Sequence, residues 1–162
     1  QATSDMPEDL RSWRQAGRLY LWRYTGNVRN FPGWHTSADR AGTTSMLELV
    51  SALQASDGPV HRTLSLTPPT DAVLSVPNNP HGSWSPQRWR IAYEPSEDAT
   101  SLWSFPPHDT LATLRIGREW LSRFGGGFGD IFGGEGDYSI GEHQGPDADS
   151  EDLWFWWHPR WR

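Results

Sequence analysis

The chain has 162 residues, a net charge of −6, 35% hydrophobic and 13% aromatic residues, no cysteine, and fourteen basic residues that are all arginine. Without cysteine or lysine it has no disulfide, thiolate metal site, thiol nucleophile, Schiff-base lysine or phosphate-loop lysine. Residues 1–90 carry nine arginines against seven acids and residues 91–162 five against thirteen, a field that opposes nucleic acid and anionic membranes at the C-terminal part and favours a basic partner or a cation.

A chain of this length buries roughly 70% of its unfolded surface, enough for a core without metals or cross-links. We find no internal repeat and no linker-like break, so a single domain over 1–162 is expected. No apolar run approaches the ~18 residues of a membrane span, and the start lacks a signal-peptide pattern. The expectation is a soluble, cytoplasmic protein, with secretion left open because the chain does not begin with Met.

In chain order, "SDMPEDLRSWRQAG" is predicted as a short helix near 7–16, with Pro7 in its first turn and Gly17 as its stop. "RLYLWRYT" (18–25) follows as a strand. Leu19 and Leu21 lie on one face and Tyr20, Trp22 and Tyr24 on the other, so both faces are apolar and the strand should be central. Residues 26–42, punctuated by Pro and Gly, are predicted as a long loop of the kind that carries function. Within it Trp34, His35 and Asp39 form the most site-like group, because an imidazole and a carboxylate ahead of a helix start are the parts of acid–base chemistry.

The segment 43–56 is predicted as the clearest helix, striped by Met46, Leu47, Leu49, Val50 and Leu53. Short antiparallel strands are expected at 60–67, 72–76, 88–94 and 101–105. In "RWRIAYE" Trp89, Ile91 and Tyr93 share one face and Arg88, Arg90 and Ala92 the other, the mark of a sheet with one solvated side. A strand at 110–116 leads into a helix at 117–132. Leu121, Phe124, Phe128, Ile131 and Phe132 fall on one helical face there, although Gly125, Gly126, Gly127 and Gly129 oppose helix by about 1 kcal/mol each. The glycine cluster lacks GxGxxG and GxxxxGK[ST], so it is read as close packing or turns and not as a phosphate site. Strands at 137–140 and 153–157 end the fold, joined by an acidic loop. The architecture expected is α+β: a mainly antiparallel sheet of six to eight short strands with three helices on one face.

Seven acids and no arginine lie between Glu135 and Asp152. Asp147, Asp149, Glu151 and Asp152 lack the glycine and the closing glutamate of a calcium loop, and the six histidines show no paired spacing, so no metal or other cofactor is expected. "DYSIG" imitates a nucleophile elbow around Ser139, but without the strand–turn–helix context that a nucleophile needs. Arg–Trp neighbours such as Arg88–Trp89–Arg90 point to opposite faces of a strand, so they are read as structural and no nucleic-acid binding is expected.

The leading functional expectation is a non-enzymatic protein that binds, and thereby sequesters or inhibits, a protein partner with a basic surface. The four acids of 147–152 would steer that partner, and Trp154, Trp156 and His158 would meet it. A carbohydrate or small-ligand module using exposed Trp is the second reading. An enzyme with a dispersed site at His35, Asp39, Asp137 and Ser139 is the third. In "LWFWWHPRWR" alternation places Leu153, Phe155 and Trp157 on one face and Trp154, Trp156 and His158 on the other. The preferred reading of the latter is a second layer of core.

Overall fold

The first strand, β1 (Leu19–Tyr24), sets the plan of the molecule, because its alternation sends Leu19 and Leu21 into one core cluster and Tyr20, Trp22 and Tyr24 into another. The computed structural model describes residues 8–24, 33–77, 82–96, 101–104, 110–134, 138–140 and 153–159. Around β1 the chain forms an α+β fold. The remaining elements are α1 (Glu8–Ser12), β2 (Trp34–Ala38), α2 (Arg40–Gln54), β3 (Val60–Ser65), α3 (Asp71–Leu74), β4 (Ser83–Trp84), β5 (Arg88–Glu94), β6 (Ser101–Ser104), β7 (Leu111–Gly117), α4 (Arg118–Phe132), β8 (Tyr138–Ile140) and β9 (Leu153–Phe155).

The expected mainly antiparallel sheet of six to eight strands is matched only roughly. Among the described residues nine strands divide into a five-stranded sheet, β4-β1-β2-β9-β8, and a four-stranded sheet, β3-β5-β7-β6. Two pairings are parallel, β2 with β9 and β5 with β7. The second arises because β6 lies outside β7, so β7 enters between β5 and β6 where a simple meander would have placed it last.

Two expectations about single segments are corrected. Residues 34–38 are not loop but the fully buried strand β2, antiparallel to β1 with Trp22 opposite His35. Its polar side chains disguise it, since each buried hydroxyl must find a partner: Thr36 Oγ1 donates to the Tyr20 carbonyl at 2.7 Å and Ser37 Oγ to the Trp156 carbonyl at 2.8 Å. Residues 72–76 are not a strand. Thr70 Oγ1 accepts from Val73 N–H at 3.2 Å and starts the one-turn helix α3, an outcome that so short an apolar run cannot signal. Helices α1, α2 and α4, which stand at the three expected places, pack into the main core through Leu10, Leu49 and Phe124 among others, whereas the additional helix α3 belongs through Val73 to the second cluster, on the other side of β1.

Helix α2 begins three residues earlier than the stripe suggests, because Asp39 is its N-cap. The Asp39 Oδ1 accepts from Gly42 N–H at 2.8 Å and from Arg18 N–H at 2.9 Å, joining the helix start to the start of β1. The approach is so close that a Cβ on Gly17, which has φ of +72°, would lie 2.1 Å from Gly42 N.

Helix α4 runs through the glycine cluster. Its apolar face places Phe124 and Phe128 edge-on to each other at 5.2 Å and to Phe155 of β9 at 5.9 and 5.2 Å, while Trp89 of β5 meets Phe124 at 5.6 Å. Each such pair contributes about 0.5–1.5 kcal/mol beyond its buried area, together comparable to the poor helix propensity of the glycines. Two of those glycines permit the contact itself: a Cβ on Gly127 would lie 2.5 Å from the Phe155 ring, and one on Gly125 would lie 2.9 Å from Val50 of α2.

Candidate functional site

The second face of the five-stranded sheet gathers a histidine among aromatic rings. His35, fully buried on β2, has Trp22 stacked at 5.7 Å, Tyr24 edge-on at 4.9 Å and Trp156 stacked at 6.1 Å. The register explains this, because Trp22 of β1 and Trp154 of β9 are the two strand neighbours of His35. Beyond β9 the chain stays beside β2, Trp156 N–H donating to the Thr36 carbonyl at 3.0 Å, and this brings the Trp156 indole over the imidazole. Helix α3 packs on the same cluster through Val73, and the Tyr24 hydroxyl donates to the Leu74 carbonyl at 2.9 Å.

The chemistry of this cluster follows from one bond. Trp156 Nε1–H donates to His35 Nδ1 at 3.0 Å. An indole nitrogen only donates, so Nδ1 must be the bare, accepting nitrogen and the proton of the neutral ring sits on Nε2. The rings around the imidazole exclude water. Burial pushes the Tyr24 phenol up from its ordinary value near 10.0, with the Trp22 side chain acting in the opposite direction.

The residues singled out in the sequence are distributed as follows. Trp34, His35 and Asp39 do not converge. Trp34 is buried in the main core, with the Arg23 guanidinium 5.1 Å from its ring centre and Trp84 5.8 Å away. His35 faces the opposite side of the sheet, and the Asp39 carboxylate is occupied with the helix start. Trp156 and His158 are 3% and 5% exposed, His158 stacking on Tyr20 at 6.0 Å, so both lie in the second layer of core that alternation favoured. Trp154 is half-buried and stacks on Trp156 at 6.2 Å. Trp157 departs from its expected face: strand geometry ends at Phe155, alternation no longer applies, and the Trp157 ring meets Trp156 edge-on at 6.1 Å. Asp147, Asp149, Glu151 and Asp152 lie outside the described residues, as does Asp137, and Ser139 stands on β8 in register with Trp154.

Sequence reasoning missed Tyr20, Trp22 and Tyr24 as the walls of this cluster, although their shared face was visible; nothing local tied them to His35 or Trp156. Elsewhere, an open groove of about 590 Å³ between α1 and α2 is lined by Asp9, Trp13, Leu47 and Glu48 among others. Among the described residues no group of three or more His, Asp or Glu is placed to hold a metal ion, and no helix is long and apolar enough to cross a membrane. No protein-family model, curated protein or solved structure matches this chain.

Proposed function

We propose that this chain is a non-enzymatic binding protein that engages a protein partner bearing a basic surface, sequestering or inhibiting it. The observation that carries the reading is the run from Glu135 to Asp152, seven acids without one arginine, which leads directly into Trp154. In this reading Asp147, Asp149, Glu151 and Asp152 steer a cationic partner by long-range attraction, and the half-buried Trp154 is the anchor beside them. Trp156 supports it from beneath: nearly inaccessible and stacked on the Trp154 ring, it holds that ring in place, while His158, equally buried, stacks on Tyr20, and neither touches the partner itself.

The other two readings have less behind them. A sugar platform needs flat rings in solvent. Among the described residues Trp84 is the most exposed tryptophan, at 38%, and its ring already packs on Trp34. Acid–base chemistry needs His35 within reach of a substrate, and it is fully enclosed.

The test is cross-linking capture from native lysate at low salt, read by mass spectrometry. It compares the wild type with Asp147→Asn/Asp149→Asn/Glu151→Gln/Asp152→Asn and with Trp154→Ala. The proposal expects one basic protein to be lost with the neutralised variant and weakened with Trp154→Ala. Capture unchanged in the neutralised variant overturns it.

A further inference from the structure

The four-stranded sheet has one face in the core, and its other face, half-buried to exposed apart from the buried Leu111 beside Arg88, is basic in a protein that is acidic overall. Trp89, Ile91, Tyr93, Leu114 and Ile116 point inward. The residues between them point outward, and the parallel pairing of β5 with β7 puts Arg90 opposite Thr113 and Ala92 opposite Arg115, while β3 adds Thr63 beside Arg90 and His61 beside Ala92. Arg88, Arg115, His61 and Thr63 are exposed, and Arg90 and Thr113 are half-buried.

Three guanidinium groups therefore stand in successive outward rows: Arg88, then Arg90, then Arg115 one strand across. Outward rows recur every second residue, at roughly 6.6–6.8 Å along the strand. An extended peptide has the same repeat for side chains on one of its own faces, so a peptide laid along β5 with acids at every second position presents carboxylates in step with the arginines. Arginine suits that pairing because its planar fork donates two parallel hydrogen bonds to a carboxylate.

We infer that the outer face of β5 and β7, through Arg88, Arg90 and Arg115, binds an extended acidic segment of a partner protein. This surface is separate from the acidic one above. A peptide fits better than single-stranded nucleic acid, which needs aromatic platforms for its bases, because the aromatic residues of β5 all point inward. Side-chain contacts already hold two of the arginines in place: Arg90 Nε donates to Thr63 Oγ1 at 3.2 Å, and Arg115 reaches the Glu94 carboxylate at 3.4 Å. Glu94 is the built-in competitor, since an incoming carboxylate must share Arg115 with it. The β3 edge of this sheet is capped at one end by Gln15, whose amide donates to the Ser65 carbonyl at 2.7 Å and accepts from Ser65 N–H at 2.8 Å.

The test is fluorescence anisotropy of the full chain with a labelled peptide of alternating Glu and Thr, about ten residues long, at about 50 mM and about 500 mM salt. Two controls share its charge: a peptide of the same composition with the acids in one block, and an oligouridylate. The alternating peptide is expected to bind several-fold more tightly than either control, and to weaken at high salt. Arg88→Gln/Arg90→Gln/Arg115→Gln is expected to lose at least about tenfold in affinity, whereas Arg11→Gln/Arg18→Gln/Arg118→Gln, which removes exposed arginines elsewhere, changes it little. Glu94→Gln is expected to tighten binding two- to threefold or so, by releasing Arg115. Circular dichroism confirms that each variant is folded. Equal loss in the two triple variants overturns the inference, as does equal binding of the block peptide, tighter binding of the oligouridylate, or no binding at low salt.

Discussion

Replacing glycine by alanine at two places in α4 should change stability in opposite directions. Helix propensity alone favours both changes by up to about 1 kcal/mol. At Gly129 nothing lies within 4 Å of the added Cβ, so Gly129→Ala is expected to stabilise by about 0.5–1 kcal/mol. At Gly127 the Cβ would meet three atoms of the Phe155 ring at 2.5–2.6 Å, more than 1 Å inside ordinary contact. Phe155 has no room to yield, being fully buried, held between β2 and β8, and packed edge-on against Phe124 and Phe128. The upper end of the overpacking range, about 3 kcal/mol, then applies, and Gly127→Ala should destabilise by about 2 kcal/mol net. Urea unfolding followed by tryptophan fluorescence measures both. With a slope of about 2 kcal/mol per molar, the two midpoints should separate by roughly 1 M or more, with unchanged slopes. A Gly127→Ala protein as stable as Gly129→Ala would refute the claim that this glycine is there to seat Phe155.

Trp156→Phe removes the donor to a fully buried His35 nitrogen and should destabilise by about 1–3 kcal/mol in the same urea assay; in the wild type, long-range 1H–15N spectra of the His35 ring should show the Nε2–H tautomer. For Tyr24 the folded-state value lies above 10.0, so its stabilising contribution is complete below pH 10 and is lost as pH rises beyond it. The Tyr24→Phe protein, about 1 kcal/mol less stable near neutrality for want of the bond to Leu74, should therefore lose less stability than the wild type on going above pH 10, and equal losses would contradict this. Asp39→Ala should cost about 1–2 kcal/mol and Asp39→Asn much less, because an amide oxygen still accepts from Gly42 and Arg18 N–H; thermal unfolding separates the two.

Periodicity was a sound guide wherever one element faces one environment. The helix at 117–132 is observed at Arg118–Phe132 despite its glycines, because Phe124, Phe128 and Ile131 repeat on one side and nothing in a strand could gather them. The outward face of β5 was equally visible in "RWRIAYE". It failed at "WHTSA", where a central strand is built from polar and small residues whose hydrogen-bond partners come from Tyr20 and Trp156, the latter 119 residues from Ser37. The same distance hid the candidate site. His35 looked like a loop acid–base group because Trp22 and Trp156 become its neighbours only through strand pairing, and the arginine ladder needs Arg115 to arrive beside Ala92 by a parallel pairing that no turn announces.

By itself, then, the sequence determined the absence of cysteine and lysine chemistry, the acidic C-terminal field, the principal helices, and the two faces of β1 and β5. These depend on composition or on side chains a few residues apart, where backbone geometry makes spacing and direction the same thing. Only the tertiary structure decided the strand order, the division into two sheets, the burial of Trp156 and His158, and the environment of His35. Those depend on which strands pair, a choice made by packing among segments far apart in the chain: the Phe155 ring lying against Gly127, and the Trp156 indole closing over His35.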